Sequence, residues 1–270
     1  MRSKLLSADS NTKEQVQPTL QSLYLLYHEV RPSETPYSYA ISAEMFAKHL
    51  DLYAQRRSSG IGLSPELTFD DGHISNLEFA APMLAARGLT AHFFITVGWT
   101  GKRPGYMGWT ELRSLQAAGQ MIGAHGWSHT LLTHCDDRQL QTELNDSRLT
   151  LEDNLGTAIT TMSLPGGRVN GRVLAACEAA GYTHIFTSVP RAETTPLGKT
   201  VGRFNVQGNM QPEWIAELLN PQSGVLSGLQ RQDRIKQRLK SLLGDKLYAK
   251  LWALRNRQEA EADDDWEAAE

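Results

Sequence analysis

Residues 65–72 read PELTFDDG, a short apolar stretch that ends in two adjacent carboxylates and a glycine. Glu66 to Phe69 has the pattern of a buried strand, which places Asp70 and Asp71 at its carboxyl end. Adjacent carboxylates repel each other, and the pKa of one rises unless a cation or hydrogen bonds compensate. The pair therefore indicates metal binding or acid–base chemistry, with turn geometry alone as the competing explanation.

A second polar motif, GAHGWSH at residues 123–129, contains two histidines four residues apart. Two imidazoles and one carboxylate with open positions suit zinc or another late first-row divalent ion. A pair of ordinary polar histidines would show the same spacing, so His125 and His129 alone do not decide the question. Combined with one aspartate of the earlier pair, they predict a metal triad.

The two motifs together resemble those of a known family. TFDDG at 68–72 and HGWSH at 125–129 are similar to the first two motifs of the polysaccharide deacetylases, also called the NodB homology or carbohydrate esterase family 4. The family implies an α/β fold, a distorted (β/α) barrel. Its members remove an acetyl group from an N-acetylated sugar by metal-assisted hydrolysis. The resemblance has weaker flanking matches, which are LYHEV (26–30), FAKHL (46–50), AHFFI (91–95) and WTEL (109–112).

The resemblance assigns roles to the residues of the two motifs. It implies that Asp71, His125 and His129 hold a divalent metal, with Zn2+ expected and Co2+, Fe2+, Ni2+ or Mn2+ as alternatives. Asp70 is then the general base that takes a proton from the metal-bound water.

The third motif departs from the family pattern. Where many members have RPPYG, residues 163–168 read SLPGGR, so Ser163 stands in place of the arginine that orients the catalytic aspartate. Arg168 and Arg203 are two candidates to supply that charge. Gly166 stands in place of the aromatic residue, which predicts a more open wall toward the sugar.

The same loop supplies further candidate residues for the substrate or its oxyanion. Pro165 and Gly167 lie within it. The backbone N–H of Gly167, or that of Gly72, is a candidate donor to the tetrahedral oxyanion.

The family's late histidine, which protonates the leaving amine, is missing, because no histidine follows His184. Members with an early Tyr-His segment resemble a permuted arrangement in which this histidine follows the first strand. His28 is therefore the predicted general acid. The alternative is a histidine that ends a strand and caps a loop.

A loop rich in glycine and aromatic residues, GWTGKRPGY, spans residues 98–106. Loops of this kind at a barrel mouth commonly bind carbohydrate. Trp99 and Tyr106 are the predicted sugar contacts, with packing over the barrel end as the alternative.

Composition limits the classes of protein to consider. The chain has 270 residues and a formal net charge of −3, which suits one barrel-type domain and gives no strong field for nucleic acid. Two cysteines do not make a disulfide scaffold.

Residues 1–18 are a polar, flexible extension without the apolar core of a signal peptide, and no run is long enough to span a membrane. We therefore predict a cytoplasmic enzyme that meets lipid-linked or nucleotide-linked precursors, as in exopolysaccharide biosynthesis.

The predicted catalytic domain covers residues 19–220, and a basic helical extension follows at 221–258. Within it, residues 230–258 form two amphipathic helices joined near Gly244. These helices pack on the barrel, dock a partner protein, or lie on the inner face of a membrane. Residues 259–270 are acidic and predicted to be disordered.

Three functions remain open at this level. The first is a metal-dependent N-deacetylase that acts on a polysaccharide, a glycolipid or a lipid-linked saccharide. The second is an amidase acting on a non-sugar C–N bond, served by the same chemistry. The third is a non-catalytic carbohydrate-binding relative, which the missing arginine favours and the complete set of aspartates and histidines opposes.

Overall fold

The computed structural model describes residues 21–243. The predicted extension at 1–18, the acidic tail at 259–270 and the helix predicted after Gly244 lie outside the described residues. The strands are β1 (Gln21–Tyr27), β2 (Glu29–Arg31), β3 (Ala40–Ser42), β4 (Ser64–Phe69), β5 (Ala91–Ile95), β6 (Met121–Ala124), β7 (Thr161–Ser163), β8 (His184–Phe186), β9 (Ala192–Thr194), β10 (Thr200–Val201) and β11 (Arg203–Asn205). The α-helices are α1 (Ala43–Ser59), α2 (Ala81–Ala85), α3 (Trp109–Ala117), α4 (Asp137–Gln141), α5 (Ser147–Leu155), α6 (Gly171–Ala179), α7 (Pro212–Leu218) and α8 (Val225–Leu243).

The main sheet is a nearly closed barrel of parallel strands in the order β10-β8-β7-β6-β5-β4-β1-β11. The two end strands of this order are consecutive in the chain and are separated by Gly202. Because β10 pairs with β8 and β11 pairs with β1, this one segment closes the barrel. A short antiparallel strand, β9, extends the pairing of β1. The architecture confirms the predicted distorted (β/α) barrel.

Alternate residues of each strand face opposite sides of the barrel wall, as the pleat of a strand requires. On β4, Leu67 and Phe69 belong to the apolar layer under the helices. Thr68, between them, is buried and accepts a hydrogen bond from Arg203 of β11. His28 follows the last residue of β1 and Asp70 follows the last residue of β4. Because these two strands are paired, the two residues lie side by side. The barrel thus collects polar side chains from distant parts of the sequence on its inner face.

Several elements contain local irregularities. The segment that closes the barrel is divided at Gly202 into β10 and β11. π-Helical turns at Asn76–Ala80, before α2, and at Thr142–Asp146, between α4 and α5, each let an extra residue into the helix. Asp136 caps α4, and its side chain accepts a hydrogen bond from the N–H of Gln139 (2.8 Å).

The basic C-terminal helix starts earlier than predicted. α8 begins at Val225, not at 230, and its first residues Val225, Leu226 and Leu229 pack against the apolar core. The start of this helix therefore packs on the barrel. Contact of the remaining predicted helices with a membrane or a partner stays a prediction. Within residues 21–243, none of the helices combines the length and the apolar composition needed to cross a membrane.

Candidate metal and catalytic site

The end of β4 directs two adjacent carboxylates to different partners. The N–H of Asp70 still donates to the carbonyl of Tyr27 (3.0 Å), as in a continuing parallel ladder. Asp71 then adopts a left-handed backbone conformation with φ of 75°, which is uncommon outside glycine and tolerated by aspartate. This turn sends Asp70 into the barrel and Asp71 toward the loop that follows β6.

Asp71, His125 and His129 come together as the sequence predicted. Asp71 Oδ1 lies 3.3 Å from His125 Nε2 and 3.3 Å from His129 Nε2. The three groups offer ligand atoms that all lie within 4.8 Å of one another. The His125 side chain is 2% exposed and that of His129 is 38% exposed, so the group opens to solvent on one side.

The hydrogen bonding of these side chains fits a cation between them. His125 Nδ1 lies 2.9 Å from the carbonyl oxygen of Ser163, so this nitrogen carries the proton and donates. His125 Nε2 then presents a lone pair to Asp71 Oδ1, which is buried and accepts no hydrogen bond. Two acceptors that face each other at 3.3 Å repel, and a divalent ion bound by both would remove that repulsion.

The protonation of the three groups is consistent with metal binding. Burial favours a higher pKa for Asp71, but the interaction with His125 and the charge of His129 outweigh it and hold this pKa below its ordinary value. Burial lowers the pKa of His129, which favours the neutral imidazole that metals bind. Burial also works to lower the pKa of His125, but Asp70 and Asp71 outweigh it and raise that pKa. Metal binding at His125 therefore competes with a proton.

Asp70 is held by Arg203 in a fully buried bidentate ion pair. Arg203 Nη1 donates to Asp70 Oδ1 (2.7 Å) and Nη2 donates to Oδ2 (2.9 Å). The hydroxyl of Ser163 donates to Asp70 Oδ2 (2.9 Å) and accepts from Arg203 (2.7 Å). Burial alone would raise the pKa of Asp70, but the charges of Arg203 and His125 lower it below its ordinary value. Asp70 is thus ionised at neutral pH.

Of the two arginines predicted to serve Asp70, the structure selects Arg203. Arg168 follows the 3₁₀ turn Pro165–Gly167 and is half-buried, and the hydrogen bonds of the Asp70 carboxylate go to Arg203 and Ser163 instead. The expectation that Arg168 supplies the charge is therefore wrong. Pro165 is buried at the start of the same turn.

The predicted oxyanion donors are already in use. The N–H of Gly72 donates to the carbonyl of Asp70 (3.0 Å), and the N–H of Gly167 donates to the carbonyl of Leu164 (2.8 Å). Tight turns consume their own N–H groups in this way. Both N–H groups therefore already have a backbone acceptor, and their role as oxyanion donors stays a prediction.

His28 lies at the predicted position beside the two aspartates. It follows β1, whose last residue Tyr27 pairs with Phe69, and its buried Nδ1 has no hydrogen-bond partner among the described residues. Burial lowers the pKa of His28, and the charges of Asp71 and Asp70 oppose that effect. A buried imidazole nitrogen without a partner, next to two carboxylates, is suited to exchanging a proton with a bound molecule.

Trp99 and Tyr106 also lie next to the metal-binding residues. The Trp99 ring centre is 5.2 Å from that of His129 and 4.8 Å from that of Tyr106. The guanidinium of Arg103 lies over both rings, at 4.5 Å from Trp99 and 4.9 Å from Tyr106. These aromatic residues thus lie at the site, and Arg103 covers one face of each ring. Their contact with a sugar stays a prediction.

Glu143 is a buried residue that sequence reasoning missed. It lies in the π-helical turn Thr142–Asp146 and accepts hydrogen bonds from the N–H of Trp127 (2.7 Å), the N–H of Ser128 (3.1 Å) and the Ser128 hydroxyl (2.5 Å). These donors belong to the loop between the two histidines, so Glu143 fixes that loop. A single glutamate inside a helical pattern carries no sequence signal for such a contact.

Comparison with known proteins agrees with this geometry. Residues 64–185 match the profile of a family described as polysaccharide deacetylase. YxkH of Bacillus subtilis (strain 168) is 29% identical over 132 residues, or 49% of this chain and 47% of YxkH. A chitin deacetylase from Pestalotiopsis sp. is 26% identical over 136 residues, or 50% of this chain and 45% of that protein. The matched region thus spans slightly less than half the length of each relative.

A solved structure shares the fold. The Streptococcus pyogenes deacetylase PplD in complex with acetate aligns with a TM-score of 0.66 and 19% identity, covering 75% of this chain and 100% of that chain. At this identity the likeness shows the fold.

Proposed function

We propose that this protein is a metal-dependent hydrolase that removes the N-acetyl group from an N-acetylated sugar, because residues 64–185 match the polysaccharide deacetylase family. The substrate classes that fit are a polysaccharide, a glycolipid or a lipid-linked saccharide of exopolysaccharide biosynthesis. The observation that carries the proposal is that two adjacent aspartates have different partners, as metal binding by one and base catalysis by the other would require. Asp71 joins the two histidines, while Asp70 is held apart by Arg203.

In this proposal Asp71, His125 and His129 hold Zn2+, and other first-row divalent ions fit the same ligand types. When bound, the ion lowers the pKa of a water molecule and polarises the acetamide carbonyl. Three protein ligands leave open positions for that water and for the substrate.

Asp70 is the proposed general base. Its Oδ2 lies 3.8 Å from His125 Nε2, within reach of a water molecule in the position that His125 and Asp71 face. The bidentate pair with Arg203 fixes the direction of the carboxylate and keeps it ionised between turnovers. Asp70 accepts the proton of the attacking water, which adds to the carbonyl carbon of the acetamide.

His28 is the proposed general acid. It takes up a proton and delivers it to the nitrogen of the sugar as the C–N bond breaks, so that acetate and a free amine leave the site. The unpartnered Nδ1 and the neighbouring aspartates support this assignment.

The pairing of Arg203 with Asp70 weighs against a non-catalytic binding protein. Ser163 in the place of the usual arginine was the strongest sequence argument for lost turnover. Arg203 provides the bidentate contact from a different strand, and Ser163 completes it. A chain that only binds carbohydrate has no need for a buried, oriented carboxylate beside a metal triad.

Acetate release from a panel of N-acetylated sugars and oligosaccharides tests the function, with the protein supplied with Zn2+ or Co2+. Asp70→Asn should keep bound metal and lose turnover by roughly 100-fold or more, since base catalysis contributes that much. Asp71→Asn should lose the metal as well. Asp153→Asn, an exposed change of the same kind on α5, is the matched control. An Asp70→Asn variant that releases acetate at the normal rate would remove Asp70 from the reaction.

A leaving-group comparison tests His28. His28→Gln should release acetate slowly from N-acetylated sugars, because the amine must be protonated to leave. The same variant should hydrolyse an aryl acetate ester at nearly the normal rate, because a phenolate leaves without a proton. Equal losses on both substrates would show that His28 has another task.

A further inference from the structure

Two adjacent cations, Lys102 and Arg103, lie against tryptophan rings at the mouth of the site. Arg103 stacks over Trp99 at 4.5 Å, and the Lys102 ammonium lies 5.8 Å from the centre of the Trp127 ring. Trp99 itself is 5.2 Å from His129, and Trp127 lies between the two histidines in sequence. A single aromatic ring therefore separates Arg103 from a metal-binding side chain.

The backbone that carries these cations is tied to the end of β4. The N–H of Met107 donates to the carbonyl of Gly72 (3.0 Å), and the N–H of Ile74 donates to the carbonyl of Gly105 (2.7 Å). The N–H groups of Lys102 and Arg103 both donate to the carbonyl of Trp99 (3.0 Å each). The loop is thus fixed next to Asp71, and little ordering is left to be done when a ligand binds.

Neither cation is neutralised by the part of the chain that the structure describes. Arg87, Arg148 and Arg172 each form an ion pair with a carboxylate, at 2.6 to 2.8 Å. For Lys102 and Arg103, the contacts found among residues 21–243 are to aromatic rings and not to carboxylates. Stacking holds a guanidinium in place by its face and leaves its N–H edge for a further acceptor.

We propose that Lys102 and Arg103 form an anion-binding subsite for a phosphate group carried by the sugar substrate, an inference that rests on the proposed deacetylase function. Phosphate suits the pair because its several oxygens accept from the planar fork of Arg103 while Lys102 adds a point charge. Sugars joined to a nucleoside diphosphate and sugars joined to a lipid diphosphate share this group. The substrate then extends from the subsite past Trp99 to the metal triad, with its acetamide toward His129.

Binding of a phosphorylated probe that is not a substrate tests the subsite directly. Glucose 1-phosphate and methyl glucoside are titrated calorimetrically into the metal-loaded protein at low and high salt. The phosphate should bind more tightly, and salt should weaken it. Lys102→Gln and Arg103→Gln should each weaken it by roughly ten-fold, the usual size of one charge-assisted hydrogen bond, with no effect on methyl glucoside.

Matched variants keep this experiment decisive. Arg113→Gln removes an exposed charge on α3 and should change nothing. Arg103→Lys keeps the charge without the fork and should give intermediate affinity, while Lys102→Gln leaves the stack on Trp99 intact. Unchanged affinity in all variants would place the phosphate on the metal and overturn the subsite.

Turnover identifies the source of the phosphate and separates the two proposals. Acetate release is compared for methyl N-acetylglucosaminide, N-acetylglucosamine 1-phosphate, the uridine diphosphate sugar and a polyprenyl diphosphate-linked sugar. A gain in kcat/KM of about ten-fold or more for one phosphorylated form, lost in Arg103→Gln, supports the subsite and names its source. Equal kcat/KM for neutral and phosphorylated forms overturns the subsite and leaves the deacetylase function standing. If all four release no acetate, the deacetylase function fails for these sugars, and the binding comparison alone judges the anion site.

Discussion

Arg203 holds both carboxylate oxygens of Asp70 from a position 133 residues further along the chain, with Nη1 to Oδ1 at 2.7 Å and Nη2 to Oδ2 at 2.9 Å. Both side chains are almost completely buried. Arg203 takes the place of the family arginine that is missing at Ser163, and the strand that closes the barrel carries it. Its consequences for stability and for turnover are separable.

Arg203→Met should unfold the protein at lower denaturant concentration, because it leaves the charge of Asp70 buried without a partner. Such losses cost about 3–5 kcal/mol. Arg203→Lys should cost less stability but still lower kcat, because an ammonium does not fix the carboxylate in a bidentate fork. Urea unfolding and acetate release measure the two effects. Arg168→Met is the control, and an equal loss of turnover in it would contradict the selection of Arg203.

Glu143→Gln should weaken metal binding without unfolding the protein. The native Glu143 carboxylate accepts three hydrogen bonds from Trp127 and Ser128, in the loop that carries the histidines. The glutamine side chain has only one acceptor oxygen, so it cannot replace all three. Loss of a residue that orients metal ligands typically costs 10- to 100-fold in affinity, so we expect about that change in competition with a chelator. The exposed change Glu178→Gln should leave affinity unaltered.

Gly126→Ala separates backbone strain from a specific clash. Gly126 has φ of 79°, and a methyl group there would lie 2.7 Å from Glu143 Oε2. Gly60 has a similar φ of 63° with nothing within 4 Å of an added methyl, so Gly60→Ala measures the cost of a left-handed alanine alone, about 1 kcal/mol. Gly126→Ala should cost more than Gly60→Ala and should also weaken metal binding. Equal losses of unfolding free energy in the two variants would show that the Glu143 side chain moves aside at no measurable cost.

His92 should make the protein sensitive to mild acid. Burial lowers its pKa to about 4, and the charge of Arg203 adds to this, while Thr161 and the Phe94 ring enclose the imidazole. In the unfolded chain a histidine titrates near pH 6.5. Between about pH 6.5 and about pH 4 the unfolded state therefore binds more protons, and stability falls as the pH falls.

One such histidine accounts for a loss on the order of 3 kcal/mol across this window. His92→Gln should flatten the dependence of the unfolding free energy on pH between these limits, and His134→Gln, at an exposed loop position, should not. Buffer-matched urea titrations at several pH values provide the measurement. An unchanged slope in His92→Gln would mean that other groups cause the acid sensitivity.

The amino-acid sequence predicted the barrel and the grouping of Asp71, His125 and His129 through two motifs, at 68–72 and 125–129, that resemble those of the polysaccharide deacetylases. Apolar strands that end in polar residues predict that those residues gather at one edge of a parallel sheet. The spacing of His125 and His129 is local, and Asp71 follows a strand close to theirs in the barrel. Two short motifs were sufficient for these features because the family resemblance supplied the fold that brings their strands together.

Only the tertiary structure decided which groups support that triad. Arg203 was one of two candidates until the closure of the barrel by β10 and β11 placed it on Asp70. Glu143 had no sequence signal, since its contact depends on the phase of a helix that contains a π-helical turn. Arg103 was part of a loop predicted to offer bare aromatic faces, and its stacking on Trp99 depends on how that loop folds. Long-range contacts of this kind are set by packing geometry, which residue spacing does not encode.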